Sequence, residues 1–238
     1  LTSPPYGSLR NYKGNGKFEF EKIAVELTRV LKTGGVLVWI VGDETKRGSE
    51  SGTGYRQAIF FLDFCKLKLH DSMCFQKNTT SYPAKPDGNR YSQQFDLMYV
   101  FSKGKPAVVN LIKDKKNRWA GTTNFGQKTD RDKNDNLILK SKIKPIPEYS
   151  PRSNVWTYVT GKKFSGTDDI AYQHPAVFPE KLAEDHLRTW TDEGQLVYDP
   201  FAGSGSTLKA AITLNRKFIG SEIVPEYCHL ITERLKHV

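Results

Sequence analysis

Gln195-Leu-Val-Tyr198, Asp199-Pro-Phe-Ala-Gly-Ser-Gly-Ser-Thr207 and Lys217-Phe-Ile-Gly-Ser-Glu-Ile223 are the stretches whose reading decides the fold. The first predicts a short strand. The second is a glycine-rich turn that runs into a helix from about Thr207 to Leu214. The third predicts another strand, with Glu222 near its end. Strand, glycine turn and helix together form a device for holding a cofactor. Gly203 and Gly205 permit positive φ and a close backbone approach to a ligand. The helix N-terminus offers unpaired N–H groups to an anion. A carboxylate about 20 residues further on, here Glu222, can bind ribose hydroxyls. A phosphate-binding P-loop would need Lys after its last glycine, and none follows Gly205. The third glycine of a dinucleotide fingerprint is replaced by Leu208. Taken alone, the turn also fits a purely structural role.

Outward from this core, Pro225–Lys236 reads as a last helix, and His174–Trp190 contains a helix after Pro179. Towards the N-terminus, Phe20, Ile23, Leu27, Val30 and Leu31 recur at helical spacing within residues 18–33. Gly34 and Gly35 stop that helix. Val36–Val41 is a continuous apolar run, as expected of a strand buried on both faces. Residues 43–54 predict a loop, 55–68 a helix, and Ser72–Gln76 and Phe95–Phe101 strands. Alternating strands and helices predict an α/β fold whose mostly parallel sheet is covered on both faces. Residues 103–170 differ: they are basic, rich in Asn, Asp, Pro and Gly, and predict an irregular inserted module. The expected division is 1–102 and 171–238 as two halves of one core, with 103–170 between them.

The chain carries a formal net charge of +10 over 238 residues. Lys103–Lys144 holds 12 Lys or Arg against four Asp, so most of the surplus sits in one segment. Clustered cations favour a polyanionic partner, although a solvated lysine-rich loop has the same composition. No apolar run approaches the roughly 20 residues needed to span a bilayer. Cys65, Cys74 and Cys228 are scattered and read as reduced, small buried hydrophobes in a cytoplasm-like compartment. The five histidines lack ligand spacing, and no metal site is expected. The N-terminus has no basic or apolar leader and no Met, which suggests numbering that begins inside a longer protein.

The second motif is Thr2-Ser-Pro-Pro-Tyr6. Consecutive prolines fix the backbone and remove two N–H donors, leaving carbonyls as rigid acceptors. With the Ser3 hydroxyl beside them, they can hold an amino group while Tyr6 stacks on its heterocycle. By itself this also reads as a Pro-Pro turn.

Together, Ser3–Tyr6 and Asp199–Thr207 resemble the amino-group DNA methyltransferases, in the arrangement of that family's permuted β group, with catalytic motif first and cofactor motif last. The resemblance implies a Rossmann-like S-adenosylmethionine-dependent methyltransferase fold with a seven-stranded-type sheet. It implies Ser3, Pro4, Pro5 and Tyr6 as catalytic residues. It assigns Asp199, Phe201, Ala202, Gly203, Ser204, Gly205, Thr207 and Glu222 to S-adenosylmethionine, with Phe178 and Pro179 from the preceding His174–Leu182 segment. Val36–Asp43 and Gln94–Lys103 resemble later core strands. Residues 103–170 would be the target-recognition region, where Lys115, Lys116, Arg118, Arg131 and Arg152 are expected on phosphates or guanine edges of double-stranded DNA. Of Trp119, Phe125 and Trp156, most are expected in a core. Asp43 would line the cleft or face solvent. Related enzymes carry a strand and an acidic segment before the catalytic motif, and this sequence lacks them.

The implied reaction methylates the exocyclic amine of a flipped base. Ser at the first motif position favours cytosine N4; Asp or Asn there would favour adenine N6. The rivals are an RNA or protein methyltransferase, a catalytically eroded nucleic-acid-binding module and a dinucleotide-dependent oxidoreductase. The last leaves Ser3–Tyr6 and the basic segment unexplained. The family also implies a bacterial or phage cytoplasmic setting and a cognate restriction endonuclease as functional counterpart.

Overall fold

The computed structural model describes residues 1–5, 18–78, 88–123, 129–139, 144–236 and 238, so Tyr6 and Phe125 lie outside the described residues. The chain divides into two compact units, residues 1–110 with 154–238, and residues 111–153.

In the first unit, β1 (Val36–Val41), β2 (Lys68–Lys77), β3 (Phe95–Ser102) and β4 (Val155–Tyr158) form a sheet in the order β1-β3-β2-β4. β3 is antiparallel to both β1 and β2, and β4 is parallel to β2. β5 (Leu196–Asp199) and β6 (Lys217–Gly220) form a parallel pair. The segment at Thr2 joins the two. Its N–H donates to the Val38 carbonyl and its carbonyl accepts from the Ile40 N–H, both at 3.0 Å. On its other side the Leu1 amino nitrogen reaches the Tyr198 carbonyl at 3.3 Å.

A mostly parallel, seven-stranded sheet is therefore not what the described residues form; the sheet is mixed. The departure has a local cause. Among the described residues no helix separates β2 from β3, and a strand returning without a crossover helix pairs antiparallel. The region expected to be irregular over 103–170 also contributes β4 to this sheet.

Helices cover both faces. α1 (Phe20–Val30) and α2 (Thr53–Asp63) bury Ala24, Leu27, Ala58 and Phe61 against Trp39, Tyr99 and Phe101. The Trp39 indole N–H donates to Gln57 Oε1 at 2.9 Å, so the polar atom of this buried ring is satisfied. Asp43, expected in the cleft or in solvent, instead caps the start of α2: its Oδ1 accepts the Thr53 N–H at 2.7 Å and the Ser51 hydroxyl at 2.8 Å. Side chains alternate along a strand, so Met98 and Val100 face the other side. There α3 (Glu180–Trp190) packs on α4 (Ser206–Thr213) and β5 through Ala183, Leu187, Val197, Ala210 and Ala211. α5 (Pro225–Leu235) starts with proline at its first position, where the missing N–H costs nothing. Trp156 is buried as expected; Trp119 is 54% exposed. Cys65 and Cys74 are half-buried, but Cys228 is exposed, contrary to its reading as a core residue.

The second unit contains two short antiparallel pairs, Lys115–Lys116 with Tyr149–Ser150 and Thr129–Arg131 with Leu137–Leu139. Asp132 closes the second by accepting the N–H groups of Asn134 and Asn136 at 2.8 and 2.9 Å.

On the α3 face, His186 is buried with its ring 4.7 Å from that of Trp156 and its Nε2 3.3 Å from Met98 Sδ. Burial pushes its pKa down to about 3. The folded chain thus keeps His186 neutral while an unfolded chain binds the proton near pH 6.5. This contribution is complete above about pH 6.5 and is lost as pH falls towards 3. Replacing His186 by Leu is expected to shrink the drop in urea midpoint between pH 7.5 and pH 4.5. An identical drop in both proteins would contradict the assignment.

Candidate active site

The site is built where β5 ends. Asp199 is buried, and its Oδ1 accepts the Thr2 hydroxyl at 2.7 Å and the Phe201 N–H at 3.1 Å. Burial pushes the Asp199 carboxyl above its ordinary value, and hydrogen bonds from Thr2, Thr207 and the Phe201 backbone oppose that rise. The chain then turns through Gly203 at φ +54° and Gly205 at φ +79°, both in the left-handed region. A Cβ at Gly203 would lie 3.2 Å from the His174 ring, and one at Gly205 would lie 3.3 Å from Ile231. Both positions therefore require glycine for conformation and for space.

Glu222 lies just beyond β6, and its carboxylate is already engaged. Oε2 accepts the Gly203 N–H at 2.9 Å, and Oε1 accepts those of Ile223 and Val224 at 2.9 and 3.0 Å. A carboxylate has about four acceptor sites, so this orients Glu222 without exhausting it.

Behind the turn is a buried ion cluster. Arg234 NH1 donates to the Ser204 carbonyl at 2.6 Å, its Nε contacts Asp168 Oδ2 at 2.9 Å, and NH2 pairs with Glu180. Lys209 joins Asp168 at 2.6 Å and Glu180 at 3.2 Å. Burial raises the Asp168 pKa, but hydrogen bonds from Lys209, Arg234 and the Ala171 N–H outweigh it, and the carboxyl sits below its ordinary value.

These elements enclose a cavity of about 970 Å³. That lies at the upper end of the roughly 300–1,000 Å³ range of small-molecule sites. One part of the wall is Asp199, Phe201, Ala202, Gly203, Ser204 and Thr207, with Glu222, Phe178 and Pro179. Ser3 and Pro5 line the same cavity. The structure thus brings together most residues nominated from the two sequence motifs. Pro4 is fully buried, and Gly205 packs against Ile231; neither is among the lining residues. Tyr6 lies outside the described residues.

Sequence reasoning named the His174–Leu182 segment but singled out only Phe178 and Pro179 from it, and it missed wall residues elsewhere. His174 is buried beside Gly203, with its ring 4.5 Å from that of Tyr227. Phe75, Lys77 and Asp96 come from β2 and β3. A period-of-two signal was present: Lys77 is two residues beyond Phe75, and Asp96 two before Met98, so each puts a charge on a strand face that otherwise carries Met73 and Phe75 or Met98 and Val100.

Within the second unit, Lys115, Lys116 and Arg118 are exposed, and the Arg118 guanidinium lies 5.2 Å from the Trp119 ring centroid. Arg131 pairs with Asp135 at 3.0 Å, and Arg152 Nε donates to Asp114 at 2.8 Å. Among the described residues no helix is long and apolar enough to cross a membrane.

A family model described as DNA methylase matches residues 1–233. The orphan methyltransferase M.BamHII of Bacillus amyloliquefaciens is 48% identical over 237 residues, covering 100% of this chain and 88% of that protein. The type II methyltransferase M.BglII of Bacillus subtilis is 26% identical over 238 residues; the matched part covers 95% of this chain and 60% of that protein. Among solved structures, the PvuII DNA methyltransferase (cytosine-N4-specific) superposes with a TM-score of 0.67 at 22% identity, covering 98% of this chain and 77% of that one.

The Thr2–Asp199 hydrogen bond joins the two motifs, and its removal leaves a buried carboxylate short of a donor. Thr2→Val is expected to cost about 1–3 kcal/mol, and Thr2→Ser much less. Thermal unfolding measures the difference; equal midpoints for Thr2→Val and the parent chain would remove this bond from the account.

Proposed function

The chain belongs to the DNA methylase family as an S-adenosylmethionine-dependent DNA methyltransferase, and from that premise we propose that it methylates the N4 amine of cytosine within double-stranded DNA. The observation that carries this reading is the single cavity shared by Ser3, Pro5 and the Asp199–Thr207 turn. Donor and acceptor residues must meet in one enclosed space for a methyl group to pass between them.

The cavity wall fits the cofactor. The glycine turn lines the cavity, and a Cβ at Gly203 would press on the His174 ring of the same wall. Glu222 offers an oriented carboxylate for ribose hydroxyls, and Phe178 and Phe201 offer apolar surface. When bound, S-adenosylmethionine would supply a methyl carbon on a cationic sulfur; the sulfur would keep the bonding electron pair and the methylated amine would release one proton to solvent. The work of this chain is to bind, orient and exclude water. The Ser3 hydroxyl, which lines the cavity, accepts a hydrogen of the amine, so that its lone pair faces the methyl carbon. Tyr6 stacks on the base, and Pro5 shapes the wall beside it. Catalysis on this reading is largely positioning, and no cysteine nucleophile takes part.

A neutral hydroxyl at Ser3, where a carboxylate or amide would favour adenine, supports the cytosine assignment. Lys115, Lys116 and Arg118 supply phosphate contacts, and Arg131 and Arg152 contribute only by exchanging their Asp partners for DNA. The endonuclease counterpart is functional rather than physical: an enzyme cutting the same site would be blocked by the modification.

Labelled-methyl transfer to unmethylated bacterial DNA, followed by nucleoside mass spectrometry, tests the reading. N4-methylcytosine is the expected product; N6-methyladenine would overturn the base assignment and keep the family. Ser3→Ala is expected to lower kcat roughly tenfold to a hundredfold with cofactor affinity unchanged, by loss of one positioned acceptor. Tyr6→Ala should raise the KM for DNA, and Glu222→Ala should weaken cofactor binding at least about tenfold. Calorimetric titration of the cofactor separates the three; equal losses of cofactor affinity in all of them would sink this division of roles.

A further inference from the structure

Lys77 and Asp96 form an ion pair that is nearly out of solvent, with side chains 15% and 8% exposed. The Lys77 ammonium lies 2.9 Å from Asp96 Oδ1 and 2.8 Å from Oδ2. The sheet places them together. Phe75 on β2 stands opposite Asp96 on β3, and Lys77 is two residues beyond Phe75, so all three share one face. That face continues inward as Met73 and Met98. Both charges line the cavity that holds Ser3 and Pro5.

A buried ion pair at the end of an apolar face is a poor device for stability, because desolvation offsets most of the attraction. Apolar residues of similar size would serve the core as well. The pair does have a chemical use in this cavity. A flipped cytosine presents three groups on its pairing edge: the N4 amine, the ring nitrogen N3 and the carbonyl O2. Ser3 is the acceptor for the amine, and its one O–H can serve at most one of the two ring acceptors. N3 and O2 are acceptors themselves and need a donor. An ammonium has three N–H bonds; a carboxylate's two oxygens engage two of them and leave the third. Asp96 also cancels the charge, so a neutral base meets a fixed donor without a net buried charge. Phe75, 4% exposed, adds an aromatic surface to the same wall.

We infer that Lys77, held by Asp96, reads the ring acceptors of the flipped base and so sets the base preference. The inference rests on the cytosine reading above. Lys236, exposed just after α5 and paired with Glu233, lies outside the cavity lining and serves as the control.

The experiment compares the parent chain with Lys77→Met, Lys77→Arg, the double variant Lys77→Met with Asp96→Leu, and Lys236→Met, on unmethylated bacterial DNA. The double variant leaves no unpaired charge, so it is expected to keep its thermal midpoint and to bind S-adenosylmethionine within about twofold of the parent. Its methylation rate should fall roughly ten- to a hundredfold, as for loss of a base-reading contact. Its residual product should shift towards adenine, which has no O2, whereas a merely structural role would leave the product ratio alone. Lys77→Arg should recover part of the rate, and Lys236→Met should change it less than about threefold. The rate is scored on whichever base the parent methylates. A failed cytosine assignment then shows in the parent's product, and a failed role for Lys77 shows in the variant's rate. A double variant that methylates as fast as the parent, with the same product ratio, overturns the proposal.

Discussion

The hydrogen bond from the Thr2 hydroxyl to Asp199, 2.7 Å long and spanning 197 residues of sequence, is the constraint on which the site depends. Thr2 is paired through its backbone to β1, and Asp199 ends β5. The bond therefore fixes the residue before Ser3 against the residue that opens the glycine turn. Both partners are buried. In a medium of low dielectric such a bond strengthens, and its loss strands a carboxylate that has been taken from water. Ser3 and Gly203 then inherit their relative position from two strands of one unit instead of from flexible loops.

A second, larger investment lies behind the turn. Arg234, Lys209, Asp168 and Glu180 join α5, α4, the 165–170 segment and the first residue of α3. Paired buried charges contribute little net stability. What they supply is definition: Arg234 holds the Ser204 carbonyl inside the turn, and Glu180 accepts the Thr167 N–H at 3.1 Å. The turn is thus fastened in front by Asp199 and Glu222 and behind by Arg234. A glycine-rich segment with positive φ at two positions needs such fastening, because glycine loses the most conformational freedom on folding.

Much of this was legible in the sequence. The periodic helices, the apolar run at Val36–Val41 and the strand–turn–helix at Asp199 could be read because each is a local pattern. The two nominated motifs could be read because Pro-Pro fixes the backbone and Gly-x-Gly permits turns that other residues resist, whatever surrounds them. Three features could not be read. The antiparallel course of β3 depends on which strands become neighbours, and alternation of apolar residues does not encode that. Val155–Tyr158 is too short and too deeply set in a basic stretch to announce itself as part of the main sheet. Asp43 and Arg152 carry charges that suggested contacts with ligand or DNA, but their partners, the α2 N-terminus and Asp114, depend on folding of the chain. Charge is visible in a sequence, and neutralisation of charge is not.

The arrangement of the cavity explains why a site can be divided between the two ends of a chain and still close. In open α/β sheets, ligands bind beyond the carboxyl ends of parallel strands, where strand-to-helix loops converge. Asp199 ends β5, Glu222 lies just past β6, Ile40 is near the end of β1, Lys77 ends β2 and Thr160 follows β4. Asp96 is near the start of β3, and because β3 runs antiparallel its start lies at the same edge. The one strand that breaks the parallel rule thus still contributes to the common edge. It brings a carboxylate to an ammonium that the neighbouring strand delivers. What the fold requires of the sequence is that each chemistry-bearing residue sit at the edge-facing end of its strand, and the order of the strands along the chain is free to vary.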